Sequence, residues 1–154
     1  EYSTLQGEDL AKLAHGLPAH FRDSVNRVVY ALIPGSLAGQ SLTKTLLTAD
    51  AREQLRHADR IVFEAMREAK LLGDIKQFPV VLLPVSFGEP GERSVVLRPV
   101  TTSTFMTVQA MLPGRDLPEG FLENIAKRIL KEVPGISQVF LDITNKPPAT
   151  TEWE

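Results

Sequence analysis

The sequence predicts an α+β fold with two layers, in which helices cover one face of an antiparallel sheet. Apolar residues recur at helical spacing in three stretches, and short runs rich in Val, Ile and Leu separate those stretches. Two of the short runs are joined by a Gly-Glu-Pro-Gly-Glu segment over residues 88–92, which is typical of a hairpin. The 154 residues, 43% of them hydrophobic, are enough for one ordinary domain or two very small ones.

The first third of the chain predicts a helix, a strand and a loop. Five apolar residues share one helical face, and Pro18 should kink or shorten that helix. The five are Leu10, Leu13, Ala14, Leu17 and Phe21. The apolar run over residues 28–33 predicts a buried strand, and the Pro-Gly-Ser-Leu-Ala-Gly segment over residues 34–39 predicts a loop.

A long amphipathic helix follows this loop. Thr48 or Asp50 is suited to cap its start, because both side chains accept hydrogen bonds from free backbone amides. Its apolar positions run from Leu55 to Leu72 with alternating three- and four-residue spacing. Gly73 predicts the end of the helix.

The second half of the chain predicts a hairpin, a third helix and a last strand. The hairpin strands are expected over residues 78–87 and 93–100. Pro118 suits the first turn of the third helix, and the Pro-Gly pair at residues 134–135 ends it. Residues 137–144 form the last predicted strand. The complete unit is therefore helix–strand–strand–helix–strand, with helices on one face of the sheet.

The first helix–strand pair echoes the last one. The apolar pattern from Leu10 matches that from Leu122 at a constant offset of 112 residues. The echo predicts a remnant of a preceding repeat over residues 1–33, a linker loop over 34–47 and a complete unit over 48–154. It also predicts that the chain is a fragment. A chance likeness between two amphipathic helix–strand pairs is the alternative.

Composition excludes several classes of function. The net charge of −2 gives no electrostatic reason to expect nucleic acid or a membrane surface as a partner. The absence of cysteine excludes disulfides, thiolate metal sites and a cysteine nucleophile, and is compatible with a cytoplasmic location. The sequence has no Gly-rich phosphate loop and no nucleophile elbow. His15, His20 and His57 lack metal-ligand spacing, so we expect no metal site and no catalytic residue in this chain.

The last nine residues, 146–154, read Lys-Pro-Pro-Ala-Thr-Thr-Glu-Trp-Glu. Two prolines fix φ at about −65° and predict a stiff, polyproline-like arm. Such an arm can hold the Lys146 ammonium, two threonine hydroxyls and the Glu152 carboxylate at set distances, which suits a phosphorylated ligand such as a nucleotide. A solvated tail is the alternative, because chain termini fray, although Trp153 is costly to leave in water. The residues alone favour the solvated tail and leave the ligand site as the other interpretation.

Two arginines and an aspartate in the predicted strands are expected to be structural. Arg93 and Arg98 flank Ser-Val-Val-Leu, and their odd separation places them on opposite faces of a strand. We expect Arg98 to pair with an acidic neighbour or to cross a subunit interface, and Asp142 to serve as the structural partner of an arginine. The sequence does not settle whether either arginine binds a ligand.

The terminal run resembles the C-terminus of the GMP synthase family. That family typically ends in Lys-Pro-Pro-(Ala/Gly)-Thr-(Ile/Thr)-Glu-Trp-Glu after a Pro-Gly-Ile turn and a strand carrying an aspartate, here Asp142. The resemblance continues through residues 77–84, 93–98 and 105–107. It implies that four residues contact the substrate nucleotide, xanthosine monophosphate (XMP): Lys146, Glu152, Gln77 and Thr151.

The resemblance also implies a function for the chain. GMP synthases convert XMP, ATP and glutamine to GMP, with Mg²⁺ and ATP bound elsewhere in the enzyme, and this chain resembles their dimerisation domain in a longer, eukaryote-like form with a duplicated unit. It lacks the glutaminase cysteine and the Ser-Gly-Gly-Val-Asp-Ser type ATP pyrophosphatase motif, so we expect it to be inactive alone. The expected partners are XMP, the ATP pyrophosphatase domain of the parent chain and a second copy. A free-standing dimerising module that binds no nucleotide is the alternative.

Overall fold

A four-stranded sheet with helices packed on one face organises the chain. The computed structural model describes residues 5, 7–22, 24–104 and 106–153. The helices are α1 (Gly7–His20), α2 (Ala49–Glu68) and α3 (Phe121–Glu132). The strands are β1 (Val29–Ala31), β2 (Ser41–Leu42), β3 (Val80–Leu83), β4 (Val85–Ser86), β5 (Arg93–Leu97), β6 (Val100–Thr101), β7 (Gln109–Ala110) and β8 (Ile136–Asp142).

The main sheet has the strand order β1-β8-β5-β3 and confirms the α+β class. β3 pairs with β5, and β1 with β8, in antiparallel fashion, as expected. The central pair, β5 with β8, is parallel. The reason is the connection: a parallel pair needs a long crossover, and the chain between these strands contains the small β6–β7 ribbon and α3. β2 pairs with β4 in a separate two-stranded ribbon.

The core lies between α2, α3 and one face of this sheet. Alternate residues of β5 and β8 point toward the helices because side chains of a strand alternate between its faces. The sheet contributes Val95, Leu97, Val139 and Leu141, all fully buried. α3 contributes Leu122, Ile125, Ala126 and Ile129, also fully buried. Burying each Leu, Ile or Val side chain stabilises the fold by roughly 1.5–3 kcal/mol.

The first helix is less buried than its predicted apolar face suggests. Leu10 and Ala14 are buried, whereas Leu13 and Phe21 are 38% and 48% exposed. α1 runs through Pro18, which lies in its last turn and is itself buried. The matching positions of α3 are all buried, so the two helices that echo each other in sequence pack differently. The predicted duplication stays a prediction.

Helix ends follow the predicted chemistry at Thr48 and at the Pro-Gly pair after α3, and depart from it at the end of α2 and the start of α3. Thr48 caps α2 as expected, and its hydroxyl accepts a hydrogen bond from the Ala51 amide. The prediction that Gly73 ends α2 is wrong, because the chain leaves the helix after Glu68 and Lys70 adopts the left-handed conformation at φ 59°.

No helix among the described residues is long and apolar enough to cross a bilayer.

The start of α3 is also displaced from the prediction. Pro118 lies before the helix, where its carbonyl accepts a hydrogen bond from Phe121 at 3.2 Å. Gly120 occupies the cap position with φ 75°, a left-handed conformation that glycine adopts without steric cost. α3 therefore begins three residues after the proline, because the glycine turn must precede it.

Replacing Thr48 with alanine should lower the free energy of unfolding by about 1 kcal/mol, because the first turn of α2 loses its side-chain acceptor. Urea denaturation followed by circular dichroism at 222 nm measures this loss. Thr104→Ala is the matched control, since Thr104 is exposed and lies outside any helix. Equal stability of the two variants would contradict the capping role.

Candidate functional site

The face of the sheet opposite the helices carries a polar cluster. The residues of β5 and β8 that point to this face include Ser94, Val96, Gln138, Phe140 and Asp142, and Arg98 continues the alternation just beyond β5. All of these are buried. Residues from outside the sheet therefore cover this face, and Phe87 does so at one end, with its ring centroid 5.2 Å from that of Phe140.

Asp142 is the centre of the cluster. One carboxylate oxygen, Oδ2, lies 2.7 Å from Arg98 Nη1 and accepts hydrogen bonds from Arg27 Nη1 at 2.8 Å and Trp153 Nε1 at 2.9 Å. The other oxygen, Oδ1, accepts from the backbone amide of Thr144 at 2.9 Å. The expected pairing of Arg98 with an acidic neighbour is confirmed, and so is the structural role of Asp142.

The cluster holds two cations and one anion in a dry environment. Asp142 and Arg98 are both 0% exposed. Burial lowers the pKa of Arg98, an effect that the Asp142 carboxylate opposes and that the neighbouring Arg27 reinforces. The guanidinium nevertheless stays protonated, because arginine does not lose its proton in proteins. A buried charge of this kind is tolerated only when it is paired and hydrogen-bonded.

Residues 145–153, which we call the arm, fold back onto this cluster. Lys146 exchanges backbone hydrogen bonds with Val108 at 2.8 and 3.1 Å. The amide of Ala149 donates to the Asn145 carbonyl at 3.1 Å and closes a turn, and Ala149 is buried. The expectation of an extended, polyproline-like arm is therefore wrong: a backbone hydrogen bond from Ala149 to Asn145 turns the chain, and Ala149 is buried in the turn. The peptide bonds preceding Pro147 and Pro148 are both cis.

Arg98 binds the arm through main-chain carbonyls. Its Nη2 donates to the Thr150 carbonyl at 2.8 Å, and its Nε donates to the Thr151 carbonyl at 3.1 Å. Its Nη1 also donates to the Thr144 carbonyl at 3.0 Å. The five N–H groups of a guanidinium form a fixed fork, so one side chain can hold several carbonyls in one geometry. The path of the arm is thus set by backbone contacts.

Arg27 holds the far half of the arm, and sequence analysis did not identify it. Its Nη2 donates to the Thr150 carbonyl at 3.2 Å, to the Thr150 hydroxyl at 2.5 Å and to the Glu152 carbonyl. Its guanidinium carbon lies 4.9 Å from the centroid of the Trp153 ring, a cation–π contact. The only feature of the sequence that indicates such a residue is Trp153, because a large aromatic ring near the end of the chain needs other residues to pack against it.

The four predicted site residues differ in how deeply they are buried. Thr151 and Lys146 are half-buried, whereas Glu152 and Gln77 are exposed. Glu152 and Trp153 line a groove of about 460 Å³ beside the edge strand β3. The other lining residues are Thr45, Leu46, Leu47, Ala51, Arg52, Leu55, Val80, Val81 and Leu82. This volume is in the range of small-molecule sites.

Gln77 lies across the β6–β7 ribbon from the arm. Its backbone pairs with Val100, and Val100 pairs with Ala110. The amide of Ala110 then donates to the Asn145 side-chain oxygen at 3.0 Å. Two backbone pairings, each spanning about 4.8 Å, and one side-chain hydrogen bond therefore separate Gln77 from the start of the arm. The structure brings Thr151 and Glu152 together and leaves Gln77 on the far side of the ribbon.

Arg93 belongs to a separate structural network, on the helix side of the sheet. Its guanidinium donates to Gln54 and Thr45 at 2.8 Å each, and lies 3.3 Å from the Asp50 carboxylate. Gln54 in turn donates to the Pro134 carbonyl at 2.8 Å. Arg93 thus ties the start of α2 to the sheet, and the predicted separation of Arg93 from Arg98 is confirmed. Among the described residues, no cluster of acidic or histidine side chains could hold a metal ion.

Comparisons with known proteins agree on one family. Residues 64–153 match the model of the GMP synthase C-terminal domain. The chain is 44% identical over 112 residues to the GMP synthase [glutamine-hydrolyzing] of Dictyostelium discoideum, an alignment covering 73% of this chain and 16% of the relative. It is 42% identical over 164 residues to the probable GMP synthase of Caenorhabditis elegans, covering 94% and 21%. It is 38% identical over 164 residues to the GMP synthase of Alkalilimnicola ehrlichii, covering 96% and 30%.

The chain therefore spans less than a third of the length of each of these curated relatives. The family match covers α3, β8 and the arm to Trp153. Arg27 and the groove residues before α2 fall outside it. Phe105, part of one segment on which the sequence resemblance rests, and Glu154, the last residue of the terminal run, lie outside the described residues.

Replacing Asp142 with asparagine should lower the free energy of unfolding by about 3–5 kcal/mol, because the buried Arg98 guanidinium loses its counter-charge. Urea denaturation measures the loss, which should persist at high salt since a buried pair is poorly screened. Asp59→Asn is the matched control on the exposed face of α2 and should change stability by less than about 0.5 kcal/mol. An Asp142→Asn variant as stable as this control would show that the charge is not needed.

Proposed function

The chain belongs to the GMP synthase family, and we propose that it is the C-terminal part of a GMP synthase, which completes the XMP site from one side. In this proposal the whole protein is a ligase of purine biosynthesis that converts XMP, ATP and glutamine to GMP. The glutaminase and ATP-dependent steps belong to parts of the protein outside this chain. The chain contributes nucleotide contacts and subunit association, and its partner within the protein is the ATP pyrophosphatase domain.

The ordered arm is the observation that carries this proposal. Arg98 binds the backbone carbonyls of Thr150 and Thr151, so main-chain contacts fix the path of the arm. The Glu152 carboxylate remains exposed at the groove beside β3. A binding site gains affinity when its groups are held in place before the ligand arrives. A solvated tail would lack this preorganisation.

Each proposed contact follows from the chemistry of the side chain. The Lys146 ammonium pairs with the nucleotide phosphate as a point charge. The Glu152 carboxylate accepts hydrogen bonds from ribose hydroxyls or from the base, and the Thr151 hydroxyl adds a donor beside it. The Gln77 amide both donates and accepts. The long side chains of Lys146 and Gln77 shorten the backbone separation across the β6–β7 ribbon, so one nucleotide can contact both.

Replacing Lys146 with alanine in the full-length enzyme should raise the KM for XMP by about ten- to a hundredfold, because one charge-assisted hydrogen bond is worth roughly 1.5–3 kcal/mol. The KM values for ATP and glutamine should stay nearly unchanged. Glu152→Gln should act in the same direction and more weakly, since an amide oxygen still accepts a hydrogen bond. Steady-state kinetics with each substrate varied in turn measures these effects.

Lys131→Ala is the matched control for Lys146, since Lys131 is an exposed lysine on α3. It removes the same charge at a distance from the arm and should leave all three KM values unchanged. If Lys146→Ala and Glu152→Gln both bind XMP like the parent enzyme, the arm does not contact the nucleotide and the proposed function of this chain is wrong.

We propose further that the chain self-associates through the edge of its sheet at β3. The opposite face of the sheet is covered by the chain itself, which leaves the edges as the available surface. β3 pairs only with β5 within the described sheet. Leu46 and Leu47 line the groove beside β3, and Leu42 pairs with Val85 of the following strand, β4. Leu42, Leu46 and Leu47 are 86%, 64% and 91% exposed. An exposed apolar patch next to an unpaired strand edge favours association with a second copy.

Analytical ultracentrifugation should find this chain dimeric, and a Leu46→Glu, Leu47→Glu double variant should be monomeric, because two charges would be buried at the contact. Leu72→Glu is the control, since Leu72 is a half-exposed leucine in the turn after α2. A parent chain that stays monomeric at high concentration, or a double variant that still dimerises, would contradict association through this edge.

A further inference from the structure

Arg27 connects the arm to a part of the chain that the family model does not cover. The matched segment begins at residue 64, in the middle of α2, whereas Arg27 lies two residues before β1. Its guanidinium nevertheless contacts Asp142, Thr150, Glu152 and Trp153, four positions at the other end of the chain. The four side chains proposed to contact the nucleotide do not include Arg27.

We propose that Arg27 is a positioning residue of the nucleotide site: it holds the far half of the arm so that Thr151 and Glu152 meet the nucleotide. This inference rests on the proposed XMP-binding function of the arm. Arg27 acts through the arm and does not itself touch the ligand. In this proposal the segment between α1 and β1 contributes to the nucleotide site by supplying Arg27.

Both arginines bind Thr150, and beyond it they hold different residues of the arm. Arg98 binds the carbonyls of Thr150 and Thr151 and reaches no further along the chain. Arg27 binds the carbonyl of Glu152 and stacks on the ring of Trp153. Without Arg27, the arm would remain tethered as far as Thr151, and Trp153 would keep one hydrogen bond to Asp142. The Glu152 carbonyl would lose the Arg27 guanidinium and keep the neighbouring Thr150 hydroxyl as a donor, which moves with the arm.

The backbone beside Arg27 is anchored well enough to act as a fixed point. The Val28 amide donates to the Thr144 hydroxyl at 2.7 Å, and the Val28 carbonyl accepts from the Ile143 amide at 3.1 Å. β1 then continues this pairing with β8. The Arg27 side chain is 11% exposed, so its position is set by packing on most sides. A fixed backbone and a packed side chain preorganise the groups that they hold.

The loss of Arg27 should leave the fold intact. Asp142 keeps Arg98 as its counter-charge at 2.7 Å, so no buried carboxylate is left unpaired. Arg27→Gln therefore changes the arm while the sheet and its helices persist. Arg27→Lys keeps the positive charge and loses the forked arrangement of N–H donors, because an ammonium is a point charge without the planar geometry of a guanidinium. The lysine variant should fall between the parent and the glutamine variant.

Trp153 reports the state of the arm directly, because it is the only tryptophan in the chain. In this 154-residue chain, Arg27→Gln should shift the tryptophan emission to longer wavelength and increase its quenching by acrylamide about two- to threefold, as the indole becomes solvated. Far-ultraviolet circular dichroism should be unchanged. Arg56→Gln is the matched control: Arg56 is an exposed arginine on α2 whose ion partner is Glu53.

The same substitutions in the full-length enzyme test the link to the ligand. Arg27→Gln should weaken XMP binding about tenfold in calorimetry, because the released end of the arm must then be ordered when the nucleotide binds. In kinetics it should raise the KM for XMP with kcat nearly unchanged, and Arg27→Lys should restore part of the affinity. A residue that serves only stability would lower the melting temperature and leave the KM for XMP unchanged.

Two results overturn the inference. One is an Arg27→Gln chain whose tryptophan emission and quenching equal those of the parent. The other is a variant whose arm is released while the full-length enzyme binds XMP with parental affinity. Failure of the proposed function has a different signature, since Lys146→Ala and Glu152→Gln would then leave XMP binding unchanged. Released tryptophan together with a raised KM for XMP, and neither effect in Arg56→Gln, supports the inference.

Discussion

The structure depends on one carboxylate. Asp142 is the last residue of the inner strand β8, and its two oxygens receive donors from the N-terminal segment, from the end of β5, from the backbone after β8 and from the arm. A carboxylate in an apolar interior is stable only when its charge is balanced and its lone pairs are bonded. The requirement of Asp142 for donors therefore brings the N-terminal segment, the end of β5 and the arm to one point beside the end of β8. Any chain path that failed to bring them there would leave a buried charge without partners.

This arrangement specifies a conformation more than it adds stability. A buried ion pair gains little over well-packed apolar side chains, because desolvation offsets most of the attraction between the charges. It disfavours alternative conformations, since a displaced arm would expose Trp153 and deprive the Arg98 guanidinium of two of the three carbonyls that it binds. The apolar layer between the helices and the sheet stabilises the fold. The polar cluster on the opposite face determines where the last residues lie.

The sequence predicts those parts of the structure that local patterns control. The core positions of α3, the cap at Thr48 and the strands around Val95 and Val139 follow from periodicity and hydrogen-bonding chemistry. The parallel pairing of β5 with β8 and the partnership of Arg27 with the arm do not, because both join residues far apart in the chain. Arg98 could be predicted to need an acidic partner, since a cation in an apolar strand must be paired. Nothing local indicates that Arg27 shares the same carboxylate, and the turn at Ala149 depends on packing that no short motif encodes.

The strand order has a consequence for the time at which the molecule can fold. β8 lies between β1 and β5, yet it follows every other strand of the sheet along the chain. On a ribosome, β1 emerges first and has no neighbour in the sheet until β8 has been synthesised, and the β3–β5 hairpin waits with an open edge. Contacts between such distant segments form slowly, because the chain loses the entropy of closing a long loop before the new contacts can compensate for it. The sheet is therefore completed only when β8 becomes available. Until then, a growing chain would expose its unpaired strands and apolar faces to chaperones.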